Sequence, residues 1–382
     1  MEAERFINIL GDLGADFYTG VPDSLLSPLT DVLYSKYGIS DKHIVAANEG
    51  AAVGIAAGHY LATGKPAVVY MQNSGIGNAV NPICSLIHEK VYSIPVVFVI
   101  GWRGEPGTKD EPQHVFQGEV TLPMLDCLEI PYTIVSEESD DLSDAVKRFK
   151  QYIDKGKPVA FVIQKGALAD EKKPDYSSNA VISREDALEA IINITDTDSG
   201  TVYVCTTGKL SREVFEIRER HRSGHSHDFL TVGSMGHVLA IAQGIAIAKP
   251  DLRVYCLDGD GSALMHLGSL AVASVHGSKN LTHIVFNNGA HETVGGLPTV
   301  CNRLNLSEVA LTLGYRASFR IDSISELTQV LNDTRTAEGP VFIEVICNLS
   351  SRADLGRPTT SPAQNRVDFM NYLNADRSGQ LQ

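Results

Sequence analysis

The chain has 382 residues, enough for two domains that each bury a core. With 43% hydrophobic and 20% charged residues it falls in the soluble globular class. Its 46 acidic against 32 basic side chains, a net charge of -14, argue against a broad nucleic-acid-binding surface, so an anionic small molecule would need a local basic pocket.

The opening stretch MEAERFINILGDLG carries acids where a signal peptide carries bases. The longest apolar run, IPVVFVI (94–100), is too short to span a bilayer, so no membrane partner and a cytoplasmic location are expected. The first half then alternates amphipathic stretches with short β-branched runs: AERFINILGDLG, DFYTG, SLLSPLTDVLYSK, HIVAA, EGAAVGIAAGHYLAT, PAVVYM and IPVVFVI. Continuous apolar strands separated by helices predict a parallel sheet covered on both faces. Around 169–178 the composition turns to ADEKKPDYSS, read as a linker, and the pattern restarts with SREDALEAIINIT, TVYVCTTG, SREVFEIRERH, HDFLTV, GHVLAIAQGIAIA, LRVYCLDGDG, LGSLAVASVHG, LTHIVFNN and VFIEVI. Each half is thus expected to be a doubly wound α/β sheet whose ligands sit at the carboxyl ends of the strands. The tail from Ser350, SSRADLGRPTTSPAQNR, is either an ordered loop or lid, or else a loose tail. Six scattered cysteines without a C-x-x-C pair read as buried thiols of a reducing compartment.

The run VYCLDGDGSALMHLGS (254–269) carries the chemistry. A phosphate loop would follow its glycines with Lys and Ser or Thr, and a dinucleotide fingerprint would read G-x-G-x-x-G. Gly259-Asp260-Gly261-Ser262 does neither. A carboxylate beside a diphosphate is repulsive unless a divalent cation lies between them, so Asp260 points to Mg²⁺ held by oxygen ligands. Gly259 and Gly261 let backbone N–H groups approach the diphosphate, and a helix N-terminus adds its dipole. A second oxygen ligand is expected at Asn287-Asn288, where the next strand ends.

This G-D-G-S, helix, strand, N-N arrangement resembles the cofactor motif of the thiamine-diphosphate-dependent, pyruvate-decarboxylase-like enzymes. The resemblance implies a metal held by Asp260, Asn288 and the carbonyl of Ala290, with Asn287 as the alternative to Asn288, and a structural role for Asp258. It implies diphosphate contacts from Ser262 and from Thr206, Thr207 and Gly208, although Thr-Thr-Gly also reads as an ordinary strand-to-helix cap. Glu49, opening the alanine- and glycine-rich helix of the first half, matches the glutamate that hydrogen-bonds N1′ of the aminopyrimidine; taken alone it is a helix N-terminal acid. In Gly233-Ser234-Met235-Gly236, Met235 corresponds to the wedge under the bent cofactor and the Gly233 carbonyl to an acceptor from the 4′-amino group; simple core packing is the alternative for Met235. The sites of this family lie between subunits, which implies a homodimer or larger homo-oligomer.

The resemblance also sets the domain plan: a pyrimidine-binding domain at 1–170, a linker at 171–180, and a diphosphate-binding domain at 181–382, with no middle domain. That two-domain size, with TGVPDSLLSPL, GWRGEPGTKDEPQH, NNGAHETVGG and SRADLGRPTTSP, is similar to the phosphonopyruvate and sulfopyruvate decarboxylases, most of all the former. The substrate implied is a small anionic 2-oxo acid whose phosphonate needs cations. Arg103, Lys109 and His114 in one loop, Lys209, and Arg352 and Arg357 in the tail are the candidates. Asp23, Gln72 and Asn73, with Asn78, either orient substrate or cap helices. His291 and Glu292, just after the metal turn, are the expected proton donors. A non-catalytic regulatory or assembly protein is the alternative of another class; Glu49, Asp260 and Asn288 together in one chain disfavour it.

Overall fold

The structure, a computed structural model, describes residues 1–169, 173–196, 200–276 and 279–375. It divides into two compact units, 1–176 with 291–297, and 177–290 with 298–382. Residues 171 and 172 of the expected linker lie outside the described residues, as do 376–382 of the second domain. The remainder of the linker is split: Tyr176 belongs to the first unit, its hydroxyl donating to Asp31 Oδ1 at 2.9 Å and its ring packing 5.3 Å from that of Tyr34.

The first unit holds a six-stranded parallel sheet of β1 (Tyr18–Gly20), β2 (His43–Val45), β3 (Ala67–Gln72), β4 (Val96–Gly101), β5 (Tyr132–Val135) and β6 (Val159–Ile163), in the order β2-β1-β3-β4-β6-β5. The sequences of β3 and β4 are apolar almost throughout because both faces are covered. Val69, Met71, Phe98 and Ile100 enter one core. Their neighbours Val68, Tyr70, Val97 and Val99 enter the core on the other face, as a period of two requires.

The second unit repeats the plan with β7 (Thr201–Cys205), β8 (Asp228–Leu230), β9 (Arg253–Gly259), β10 (Leu281–Asn287), β11 (Ala317–Ile321) and β12 (Val341–Ile346), ordered β11-β12-β10-β9-β7-β8 and all parallel. Read from β8, this is the winding of the first sheet strand for strand. In each sheet the chain reverses its direction of winding beside the first strand, between β1 and β3 and between β7 and β9. Such switch points are where open α/β sheets hold ligands.

The tail is neither free nor a mere extension. Arg212 donates to the carbonyls of Leu355 and Gly356, Leu355 is buried, and the helix Pro362–Leu373 packs beside β8. Asn365 accepts from Leu230 N at 3.1 Å and donates to Asp228 O at 2.8 Å, so its amide pairs backbone groups of an edge strand. Of the cysteines expected to be buried, Cys84 and Cys127 are exposed. Among the described residues, no helix is long and apolar enough to cross a membrane.

Candidate functional site

The carboxyl edge of the first sheet gathers the expected first-half residues. After β2, Asn48 caps the next helix by accepting from Ala51 N at 2.8 Å, which makes Glu49 its first residue and turns it inward, 5% exposed. Asn78 Nδ2 donates to Glu49 Oε2 at 2.8 Å. Gly75 lies against the carboxyl group: a Cβ there would fall 2.4 Å from Glu49 Oε1.

At the switch point Asp23 is fully buried. It accepts from Gln72 Nε2 at 2.7 Å and from Leu25 N at 3.1 Å, and lies over Gly101, where a Cβ would come within 2.3 Å of Oδ2. Burial raises the Asp23 pKa, against the opposing pull of Gln72 and Arg103. Gln72 Oε1 in turn accepts from Ser74 Oγ at 2.7 Å.

Two candidates of this edge are committed elsewhere. Asn73 spends its amide on cross-linking, donating to Arg103 O and to Thr121 Oγ1 at 2.8 Å each and accepting from Arg103 N at 3.2 Å. Arg103 is held by Asp110 through Nε at 2.8 Å and Nη2 at 2.5 Å, while Nη1 donates to Ser24 Oγ at 2.8 Å. The expectation of a cation open to substrate thus meets a guanidinium already neutralised. Burial works against the ionised Asp110, yet Arg103 and the N–H groups of Glu111 and Gly104 hold its pKa well below the usual carboxylate range. His114 is buried with Nδ1 unpartnered, and burial followed by the charge of Arg103 lowers its pKa to about 4. Lys109 is exposed.

On the second sheet, strand register does the assembling. Leu257 pairs with Cys205, and Phe286 with Gly259, so Thr206, the Asp258–Ser262 turn and Asn287-Asn288 emerge side by side. Thr206 Oγ1 donates to Ser262 Oγ at 3.1 Å across the second switch point, and Ser262 Oγ also accepts from Gly236 N at 3.1 Å. Thr207 uses its hydroxyl on Val232 O at 2.7 Å, and Gly208, at φ +98, opens the helix Lys209–His221 in a conformation that favours glycine. Between β8 and the helix Val238–Ala248, Ser234 (φ +58) and Gly236 (φ +88) turn the chain sharply around the half-buried Met235, with Gly233 just before. Lys209 Nζ donates to Ser351 Oγ at 2.6 Å.

Asp260 is 3% exposed and accepts from Thr299 Oγ1 at 2.6 Å. Burial pushes its pKa up to about 7, against the hydrogen bonds it accepts from Thr299 and Gly261. Asn287 is turned into the core, where Nδ2 donates to Glu344 Oε1 at 2.7 Å and Oδ1 accepts from Gly289 N at 3.0 Å. Asn288, half-buried at the strand end, accepts from Ala290 N at 3.1 Å. Asp258 is structural: buried, it accepts from Gly259 N at 2.8 Å and lies 3.3 Å from His283 Nε2. His291 and Glu292 begin the segment that belongs to the first unit, and burial lowers the His291 pKa to about 4. Arg352 does not stand open to an anion: it pairs with Glu185 at 2.8 Å, with Asp354 at 3.0 Å and with Glu216. Arg357 is exposed.

The residues present fit a diphosphate with its cation. Gly259 has an ordinary backbone (φ -108, ψ 157), and a Cβ there would meet no protein atom within 4 Å, so neither strain nor packing asks for glycine. Room for a bound group over the turn does. The donor set at Asp260, Asn288 and Ala290 is all oxygen, the chemistry of Mg²⁺. Thr299 was not foreseen: it lies 39 residues beyond Asp260, and no motif marks it.

Family profiles agree with this geometry. The thiamine pyrophosphate enzyme N-terminal TPP binding domain matches residues 2–125, and the C-terminal TPP binding domain matches residues 206–345. A phosphonopyruvate decarboxylase of Streptomyces viridochromogenes is 33% identical, covering 97% of this chain and 94% of that protein. Another, of Streptomyces hygroscopicus, is 33% identical over 95% of this chain and 92% of its own. A sulfopyruvate decarboxylase of Methanosarcina acetivorans is 25% identical, covering 90% of each. Two profiles on two sheets, and relatives alike from end to end, place this chain in the thiamine pyrophosphate enzyme family, among its two-domain decarboxylases.

Proposed function

We propose that the protein is a thiamine-diphosphate- and Mg²⁺-dependent carboxy-lyase that converts 3-phosphonopyruvate and a proton to phosphonoacetaldehyde and CO₂, a step of phosphonate biosynthesis. The observation that carries this reading is the 33% identity to phosphonopyruvate decarboxylases over nearly the whole of both chains, against 25% to a sulfopyruvate decarboxylase.

The cofactor supplies the electron sink for the bond that breaks. The protein does the rest. Glu49, oriented by Asn78, would hold the aminopyrimidine ring by a proton shared with one of its nitrogens, the Gly233 carbonyl would accept from the ring's amino group, and Met235 would pack against the bound cofactor. Asp260, Asn288 and the Ala290 carbonyl would hold the Mg²⁺, with Thr299 keeping Asp260 in place. Ser234 shapes the loop that carries Met235, while Thr206, Thr207, Gly208, Gly259, Gly261 and Ser262 cradle the diphosphate. Asp23 and Gln72 orient the 2-oxo acid, and His291 or Glu292 delivers the proton that replaces the lost carboxylate. A homo-oligomer in the cytoplasm completes the reading, the second part supported by cysteines that are all thiols.

The test measures CO₂ release from phosphonopyruvate, sulfopyruvate and pyruvate by protein supplied with thiamine diphosphate and Mg²⁺. Phosphonopyruvate is expected to turn over fastest, and Glu49→Gln to lose at least about 100-fold with an unchanged circular dichroism spectrum. Faster turnover of either rival acid, or an active Glu49→Gln, overturns the reading.

A further inference from the structure

A phosphonate near its dianionic form needs a charged hydrogen-bond donor, and this inference rests on the substrate reading above. Several expected cations are spoken for. Arg103 is forked onto Asp110 and Ser24, Arg352 is shared among three carboxylates, and Lys209 is bonded to Ser351. Lys109 differs: its side chain makes no hydrogen bond or ion pair among the described residues, and it is exposed.

Its backbone, by contrast, is pinned on both sides. On one side Thr108 closes a turn onto Glu105 O, through N at 3.0 Å and Oγ1 at 2.8 Å, and Glu105 is itself held by Gln164 Nε2. On the other, Asp110 gathers Arg103, Gly104 N at 2.8 Å and Glu111 N at 2.8 Å. Beneath, the loop rests directly on the helix Pro112–Cys127: a Cβ on Gly104 would lie 1.8 Å from His114 O, and one on Gly118 1.6 Å from Gly104 O. Finally, Arg103 carries this knot to Ser24, the residue after Asp23, at the β1/β3 switch point where Asp23 meets Gln72. A solvated surface lysine needs no such anchorage.

We propose that Lys109 is the residue that binds the phosphonate and so determines specificity, and that Asp110 is a positioning residue acting through the loop that presents it. A charged donor carried on a fixed backbone recognises a 2-oxo acid bearing an anionic head group. The neutral methyl group of pyruvate gives it nothing to bind.

Steady-state kinetics on the full-length, cofactor-loaded enzyme tests this. Lys109→Met is expected to raise KM for phosphonopyruvate about 10- to 100-fold with a smaller change in kcat, and Lys109→Arg to recover most of the loss. Asp110→Asn is expected to raise KM in the same direction, with the chain becoming more open to proteolysis between residues 104 and 111 while its melting temperature stays within a few degrees. An unaltered KM in Lys109→Met, or a loss wholly in kcat that Lys109→Arg does not relieve, overturns the proposal. If the unmodified enzyme does not decarboxylate phosphonopyruvate, the substrate reading itself falls; if it does and Lys109→Met matches it, only this assignment falls.

Discussion

Gly75 shows how much a missing side chain can fix. Its backbone (φ -71, ψ -15) suits any residue, yet a Cβ would land 2.4 Å from Glu49 Oε1 and 2.6 Å from Cδ. The surroundings leave Glu49 little room to retreat, since the carboxyl group is buried and bonded to Asn78. Gly75→Ala should therefore displace the carboxyl group proposed above to meet a ring nitrogen, and a shift near 1 Å costs on the order of 100-fold in rate. The expected result is a loss of that size in CO₂ release with native far-ultraviolet circular dichroism; full activity in Gly75→Ala would remove Glu49 from the reaction. The place of Glu49 at a helix start was legible from the run that follows it, and the structure adds that its carboxyl is turned inward. Gly75 was not, and Asn78 was singled out without its partner, because a glycine chosen for what it keeps out of the way, and an amide that orients a neighbour 29 residues earlier, leave no pattern along the chain.

At the scale of elements, the strands were legible because covering both faces leaves an unbroken apolar run, as in VVFVIG of β4. The loops were not. Whether Arg103 reaches substrate or Asp110 depends on the path of seven residues, and two of the three carboxylates paired with Arg352 lie 167 and 136 positions away. The tail illustrates the same limit: its proline, serine, threonine and arginine left an ordered loop or lid and a loose end both open, and only the structure shows the segment bound down with its helix beside β8. There the amide of Asn365 serves the N–H of Leu230 and the carbonyl of Asp228, a residue whose carboxylate is also paired, at no exposure, with Arg218. Asn365→Ala leaves two backbone groups of an edge strand without their partners, at a cost of about 1–3 kcal/mol. Urea unfolding should register that loss, together with earlier protease cleavage after residue 350; an unchanged midpoint would mean that β8 does not depend on the helix.

For the molecule as a whole, the outer face of the helix Glu49–Thr63 bears on assembly. Ala51, Gly54, Gly58, Leu61 and Ala62 form an exposed stripe without charge, and Leu61 is 72% exposed. Such a surface suits a second copy of the chain. Sedimentation equilibrium should give a multiple of the chain mass, and Leu61→Glu should lower it; a monomeric wild-type protein would dismiss the homo-oligomer. The winding order shared by the two sheets has a consequence of another kind. Corresponding strand ends carry different residues: Asp23 and Gln72 stand where Thr206 and the Asp260 turn stand in the other half. On the roles proposed above, grip on the coenzyme's tail and choice of acid would be written on separate copies of one scaffold, so drift in the loops facing the acid's head group could proceed without loosening the hold on magnesium.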